Sequence, residues 1–570
     1  MSPSIAELSR PPSVALRAPE TVMRLARMGS FHPTRLSFLR VLLRRLRRDN
    51  WQFDRPVWRV DRRGEGVAVY RVCGKGRTYS LVAFPHHLDP AKRTDRVIAE
   101  EWDATFVLHD GEVSEADIAR LAANVPYQEA GRCSAEEIVL SRANKSVRLF
   151  DYVVGRLAAG EQPDSAELDA VGYLMRTTAV YANGKFGLAD RERIAGRIEF
   201  AGPFAAEMLS IWLIRAFTVD WADHLAAARA PDSAVRLDTG LRRRLGVGNA
   251  TGLGMAPFLI NHPSLLDSWM GARETALARV RAIRRAGSDR VARFVELVAQ
   301  AQAQASQWRT GDEVQSRRIA GLAADLAALR ADLRDSPFDR SYPWDALFDW
   351  SAAHLGEEAQ ELLLALLLEP HGDLVDDLAA CMVSDEEREF VIDGGMTIGA
   401  LAALLRQHYA FAFEIDFTKP TAQALFWYVS EEKLEPRLGR RDEEPGAERE
   451  QPLTVARDVV ALAKALELHH ETYSVASFLA GAPEFRQIVR RVQIAARRPY
   501  AEIRDNLIDA VVRPIDLLRC KLSFFGATRF DPKSDRWVRI TLFENAPFPD
   551  ELHARPDDDW AFGPPGAQAT

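Results

Sequence analysis

The chain has little cysteine: Cys73, Cys133, Cys381 and Cys520 are its only four, spread over 570 residues. They form no CxxC pair. That fits a reducing, cytoplasmic setting in which thiols pack as small hydrophobes better than it fits a disulfide framework or a zinc module. Long hydrophobic runs are also missing. Leu362–Leu368 falls far short of the roughly 20 apolar residues that span a bilayer, and the opening MSPSIAELSRPPSVALRAPE lacks the apolar stretch of a secretory signal. Neither sign of charge dominates. The 74 basic and 81 acidic residues leave a formal charge of −7, so no global field argues for nucleic acid or membrane as a partner. The chain also lacks a GxSxG nucleophile elbow, a Walker P-loop and an HExxH zinc motif.

What remains is the composition of a folded protein, 47% hydrophobic and 27% charged. At roughly 100–200 residues per domain, the length predicts several packing units. The expected fold is mainly α with a small antiparallel β-sheet, α+β overall. Its parts are an arm and basic amphipathic helix at 1–50, an antiparallel module at 51–113, a helical core at 114–435, a mobile charged loop at 436–452, and C-terminal helices with a hairpin at 453–570. Short β-branched or aromatic segments at Trp58–Asp61, Val67–Val72, Tyr79–Phe84 and Ala104–His109, separated by glycine-rich turns, predict the meander. Helix-start signatures such as Ser114 with Asp117 and Ser134 with Glu137 predict helices from there on. At the far end, Lys521–Phe525 and Trp537–Phe543 read as a hairpin that pairs with the meander or packs beside it.

Two helices carry surfaces that fit a non-enzymatic interaction or scaffold protein. Ser37–Arg48 sets leucines against arginines, a pattern that suits a phosphate-bearing partner or a surface helix with solvated arginines. In the helix expected at Asp312–Asp335, Ile319, Leu322, Leu326, Leu329 and Leu333 recur at spacings of three and four, which fits either an internal core or a homodimer contact.

Three clusters carry candidate chemistry. The first is Gly246-Val247-Gly248-Asn249-Ala250-Thr251-Gly252-Leu253-Gly254, running on to Asn261-His262. Its GxGxxxGxG spacing differs from the dinucleotide fingerprint, and Leu241–Leu245 does not read as a buried strand leading into it. Glycines so dense mark either close backbone approach or a loop whose amides, with Asn249 and Thr251, cradle an anion. Arg242–Arg244 could add charge, and His262 suits general acid or base work. The second is Tyr181-Ala182-Asn183-Gly184-Lys185, which follows an apparent apolar helix carrying Arg176; Arg176 and Lys185 could together hold a carboxylate or phosphate. The third is His86-His87 with His109, which could hold a transition metal and support oxidoreduction, although neighbouring histidines on an extended chain point to opposite sides.

The preferred reading is a cytoplasmic enzyme for a small anionic substrate, or one using a phosphate-bearing cofactor, with lyase- or isomerase-like proton transfer. His262 and Lys185 are its catalytic candidates. Arg176, Tyr181, Asn183, Gly248, Asn249, Thr251, Gly252, Gly254 and Asn261 are its binding candidates. The geometric premise is that the two glycine-marked segments face each other.

Overall fold

The computed structural model describes residues 14–89, 101–124, 131–179, 189–194, 196–249, 263–308, 313–335, 338–382, 390–418, 428–430, 436–437, 450–452, 455–504, 519–527, 529–532, 538–554 and 560. The chain divides into two compact units. One is Ser37–Met255 with Lys521–Thr570; the other is Met1–Leu36 with Ala256–Cys520.

The first unit is built on one large sheet: β1 (Gln52–Val60), β2 (Gly66–Gly74), β3 (Arg77–Pro85), β4 (Ala104–Asp110), β5 (Glu137–Lys145), β6 (Tyr173–Thr177), β7 (Gly246–Asn249), β8 (Arg529–Pro532) and β9 (Val538–Leu542). Their spatial order is β1-β2-β3-β4-β5-β6-β7-β9-β8. Every neighbouring pair is antiparallel except β6 and β7, which run parallel. The expectation of a small antiparallel sheet is therefore wrong: the sheet is large and mixed.

Particular residues account for the error. Glu137, read as the third residue of a helix start, instead opens β5. Its fully buried carboxylate accepts from the Cys133 backbone N–H at 3.3 Å and from the Cys133 thiol at 2.9 Å, and Arg120 donates to it at 3.3 Å. The run Tyr173-Leu174-Met175-Arg176-Thr177, read as helix, is a strand buried along its whole length. An interior strand covered on both faces loses the alternation that marks a half-exposed one. At the C-terminal end, Lys521–Phe525 forms a single π-helical turn rather than a strand, and β8 arises in the connection expected to join the hairpin.

Helices cover the two faces of the sheet. α1 is Phe38–Arg48, α2 Glu115–Asn124, α3 Phe150–Ala158 and α4 Ala205–Arg229. On one face, Ile118 and Leu121 of α2 pack on Val69, Val82, Phe84, Val107 and Leu140. On the other, Phe217 of α4 meets Phe106 and Tyr70 edge-on, at ring distances of 5.4 and 6.5 Å. α4 is buried around most of its circumference, as its near-continuous apolar sequence requires. Within it Arg215, fully buried, donates to the carbonyls of Leu245, Ala546 and Arg243. Burial pushes its guanidinium well down from the usual arginine value. In α1, Arg40 and Arg45 are buried with the leucines, and Arg45 donates to the Glu199 carbonyl. The helix accordingly lacks the fully solvated arginine face that its pattern suggested.

The second unit is helical: α5 (Pro263–Arg281), α6 (Ser288–Ala305), α7 (Glu313–Asp335), α8 (Pro343–His354), α9 (Glu357–Leu368), α10 (Ile398–His408), α11 (Val455–Leu466) and α12 (Arg486–Arg497). A small sheet orders Glu450–Pro452, Tyr428–Ser430 and Pro436–Arg437; the rest of the expected charged loop, 438–449, lies outside the described residues. Ile319, Leu322, Leu326, Leu329 and Leu333 are all buried within the chain, where α7 packs against α6. The N-terminal arm is held by Arg17, which donates to both Glu274 and Glu361 at 2.8 Å; the two carboxylates are almost fully buried. No helix among the described residues is long and apolar enough to cross a membrane.

Candidate functional site

Among the described residues, the parallel pair is the one place in the sheet where two neighbouring strands end on the same side. In the sequence β6 is followed by the Tyr181–Lys185 stretch, and β7 is itself the first four residues of the Gly246–Gly254 stretch. Arg176 of β6 stands in register with Gly248 of β7. Tyr181, Asn183, Lys185, Thr251, Gly252, Gly254, Asn261 and His262 lie outside the described residues. Pro263, which follows His262, is the first residue of α5, a position that suits proline because its missing N–H has no helical partner there.

Gly246 and Gly248 serve close packing, and neither has a positive φ. A Cβ on Gly248 would sit 2.9 Å from Arg176 Cγ and from the Tyr173 ring, and one on Gly246 would sit 2.3 Å from the Leu542 carbonyl oxygen. Their absent side chains let Arg176 and Tyr173 lie across β7 and let β9 close beside it. Asn249 is buried at the end of β7, in register with Ile540. Arg176 itself is buried to about nine-tenths, its exposure being 9%. The upstream arginines are committed to acids instead: Arg242 to Asp550 and Glu551, Arg243 to Glu551, and Arg244 to Asp169.

The histidine cluster does not come together. His86 directly follows β3, and its backbone N–H donates to the Asp103 carbonyl, whereas His109 pairs with Ser80 toward the other end of the same strands. Six strand residues separate these levels, roughly 20 Å. His87 is exposed, while the half-buried His86 ring lies 3.5 Å from the Thr105 hydroxyl. Burial pushes the His86 imidazole down from its ordinary value. His109 is buried opposite Glu137. Among the described residues, no group of three or more His, Cys, Asp or Glu is arranged to hold a metal ion.

Sequence reasoning passed over Arg142. In β5, Ala143 pairs with Thr177 and Asn144 with Arg176, so Arg142, two residues from Asn144, shares a sheet face with Arg176. Thr178 ties the strands together: its N–H donates to the Arg142 carbonyl, and the Arg142 N–H donates to its hydroxyl at 3.1 Å. The Arg142 guanidinium lies 5.6 Å from the Trp102 ring centroid, a cation–π contact. Once Ser141-Arg142-Ala143-Asn144 is read as a strand, its alternation of small and polar residues puts both polar groups on one side; reading it as helix hid that.

No family model matches the chain, and no curated protein or solved structure matches it either.

Proposed function

We propose that the protein is an enzyme that binds a small anionic substrate, or a phosphate-bearing cofactor, beside the carboxyl ends of β6 and β7. The observation that carries this reading is the one parallel pair among the described strands, whose members lie in or just before the two glycine-marked stretches of the sequence. Strand ends at such a change of direction are where open α/β sheets commonly hold ligands, because two connections diverge there and leave backbone amides for a bound group. Arg176 supplies a cation beside them. Lys185, in the segment after β6, is the residue assigned to charge neutralisation or proton movement. Asn261 and His262 fall within the residue range of the helical unit, and the reading does not use them. Four free cysteines favour a cytoplasmic setting.

A thermal-shift titration with phosphate, sulfate, acetate and succinate tests this. At least one of these anions should raise the unfolding midpoint of the wild-type chain. Lys185→Ala should keep its circular dichroism spectrum and lose most of that rise. An unchanged rise in Lys185→Ala, or none in the wild type, removes the assignment.

A further inference from the structure

Two turns of the helical unit lead into helices and bond to each other reciprocally. Thr397 and Ser474 form an antiparallel bridge. The Ile398 N–H donates to the Tyr473 carbonyl and the Val475 N–H to the Met396 carbonyl; one step out, Gly399 donates to Glu471 and Ala476 to Gly394, all at 2.8–2.9 Å. Thr397 caps α10 by accepting from the Ala400 N–H, and Ser474 caps the helix Val475–Gly481 by accepting from Ser477. Four residues before each cap a side chain folds back on its own turn: Asp393 accepts from the Gly395 N–H, and His470 Nδ1 from that of Thr472. Every contact has its counterpart, so a local twofold relates the turns.

Six residues before each bridging residue stand Val391 and Leu468. They are the most exposed large apolar side chains among the described residues, at 80% and 84%. Scattered apolar residues on a surface need no explanation, but these two occupy equivalent places on either side of the twofold. Packing of the turns does not use them, because Ile398 and Val475 are the apolar residues buried there. Tyr473, 41% exposed, adds to the open apolar surface, its ring stacked at 5.3 Å on His469, the neighbour of Leu468 in the chain.

Charge selects the occupant. The stretches 390–405 and 465–485 hold four acids, Asp393, Glu467, Glu471 and Glu484, and no lysine or arginine. All four acids are exposed, and among the described residues none forms an ion pair. We infer that this face docks a basic peptide segment of a partner protein, whose lysines or arginines meet the carboxylates while its apolar side chains cover Val391 and Leu468. Nucleic acid and anionic lipid carry the same sign as this surface and are repelled by it. The face lies in the helical unit and shares no residue with the strands of the anion site proposed above.

Fluorescence anisotropy of the full chain with three labelled peptides reads this directly: LKKLLKLLKKLLKL, its glutamate counterpart LEELLELLEELLEL, and SKKSSKSSKKSSKS, which keeps the charge without the leucines. The first should bind about tenfold more tightly than either of the others. Leu468→Ser and Val391→Ser should each weaken it about fivefold, with circular dichroism unchanged because both side chains are exposed. Glu467→Gln combined with Glu471→Gln should weaken it too and flatten its dependence on salt. Ile198→Ser, which removes an exposed apolar side chain from the sheet unit, should stay within about twofold of the wild type. No binding of the first peptide, or affinity for it equalled by either of the others, overturns the inference. So does full affinity in Leu468→Ser or Val391→Ser, or a loss in Ile198→Ser as large as theirs. Sedimentation of the chain with phosphatidylserine vesicles, abolished in Leu468→Ser, would replace the peptide with a membrane.

Discussion

Asp223, on the long helix α4, shows how one buried carboxyl links this fold to pH. Burial, with a smaller push from the charge of Asp220, raises it from the ordinary 3.8 to about 6, although the Leu237 backbone N–H donates to it at 3.0 Å. The folded state thus keeps this proton over a range where the unfolded chain has already released it. The contribution is fully present below the unfolded value and is lost as pH rises through the folded one, by an amount on the order of 3 kcal/mol. Asp223→Asn retains an acceptor for Leu237 and carries no charge. We expect denaturant melts at pH 4.5 and 7.5 to show the variant more stable than wild type at the higher pH, with the difference shrinking at the lower. Equal stability at both would remove the assignment. At this same scale the sequence was a partial guide to the candidate site. Arg176 and Gly248 could be named as chemically loaded, but the role of Gly248 in making room for Arg176 depends on a strand pairing between residues about 70 positions apart, which no local pattern encodes.

Strands set off by turn residues could be read, and those without such punctuation could not. β1 to β3 are set apart by glycine turns and β4 is followed by Asp110-Gly111, so they were legible even though β3 and β4 are buried on both faces, while β5, β6 and β7 sit inside the sheet, where apolar runs and glycines look like helix or loop. The outer strand β1 also shows how the sheet's edge is protected. Asp54, Arg55 and Pro56 are exposed there, the register shifts between Asp54 and Val57, and proline cannot donate to an incoming strand. α6 and α7 were legible because their apolar spacing is helical, but whether the leucine stripe faced its own chain or another copy required the structure. Leu326, fully buried on α7, decides between those uses in solution. Leu326→Ala should cost about 2–5 kcal/mol through lost burial and a residual cavity. The wild-type melting midpoint should not depend on protein concentration. A midpoint that rises with concentration, together with a smaller loss in the variant, would place the stripe at a dimer contact instead.

At the scale of the whole molecule, the chain passes from one unit to the other three times, and each unit is assembled from separated stretches. In the sheet unit β9 lies against β7, Ala546 accepts from the buried Arg215, and the Pro547 carbonyl accepts from Trp212 at 2.8 Å. Ending the chain after Ala527 removes all three contacts. The truncated protein should lose most of its strand signal in circular dichroism and be cut by trypsin within the 37–249 range under conditions that leave the full chain intact. Resistance equal to the full chain would show that the C-terminal strands are dispensable. This wide spacing of partners also explains why the sheet's extent was hard to anticipate: composition and periodicity act over tens of residues, whereas closure here spans most of the chain.

The pairing of Asn249 with Ile540 sets a clock for biosynthesis. Their separation of about 290 positions, at roughly 5–20 residues per second on the ribosome, leaves β7 without its outer neighbour for some 15–60 s. Throughout that interval a nascent chain that already holds β1 to β7 carries an open hydrogen-bonding edge at the strand bearing Gly246 and Gly248. Its yield in the cell should therefore depend on how fast translation reaches the last forty residues and on whatever shields that edge until they emerge.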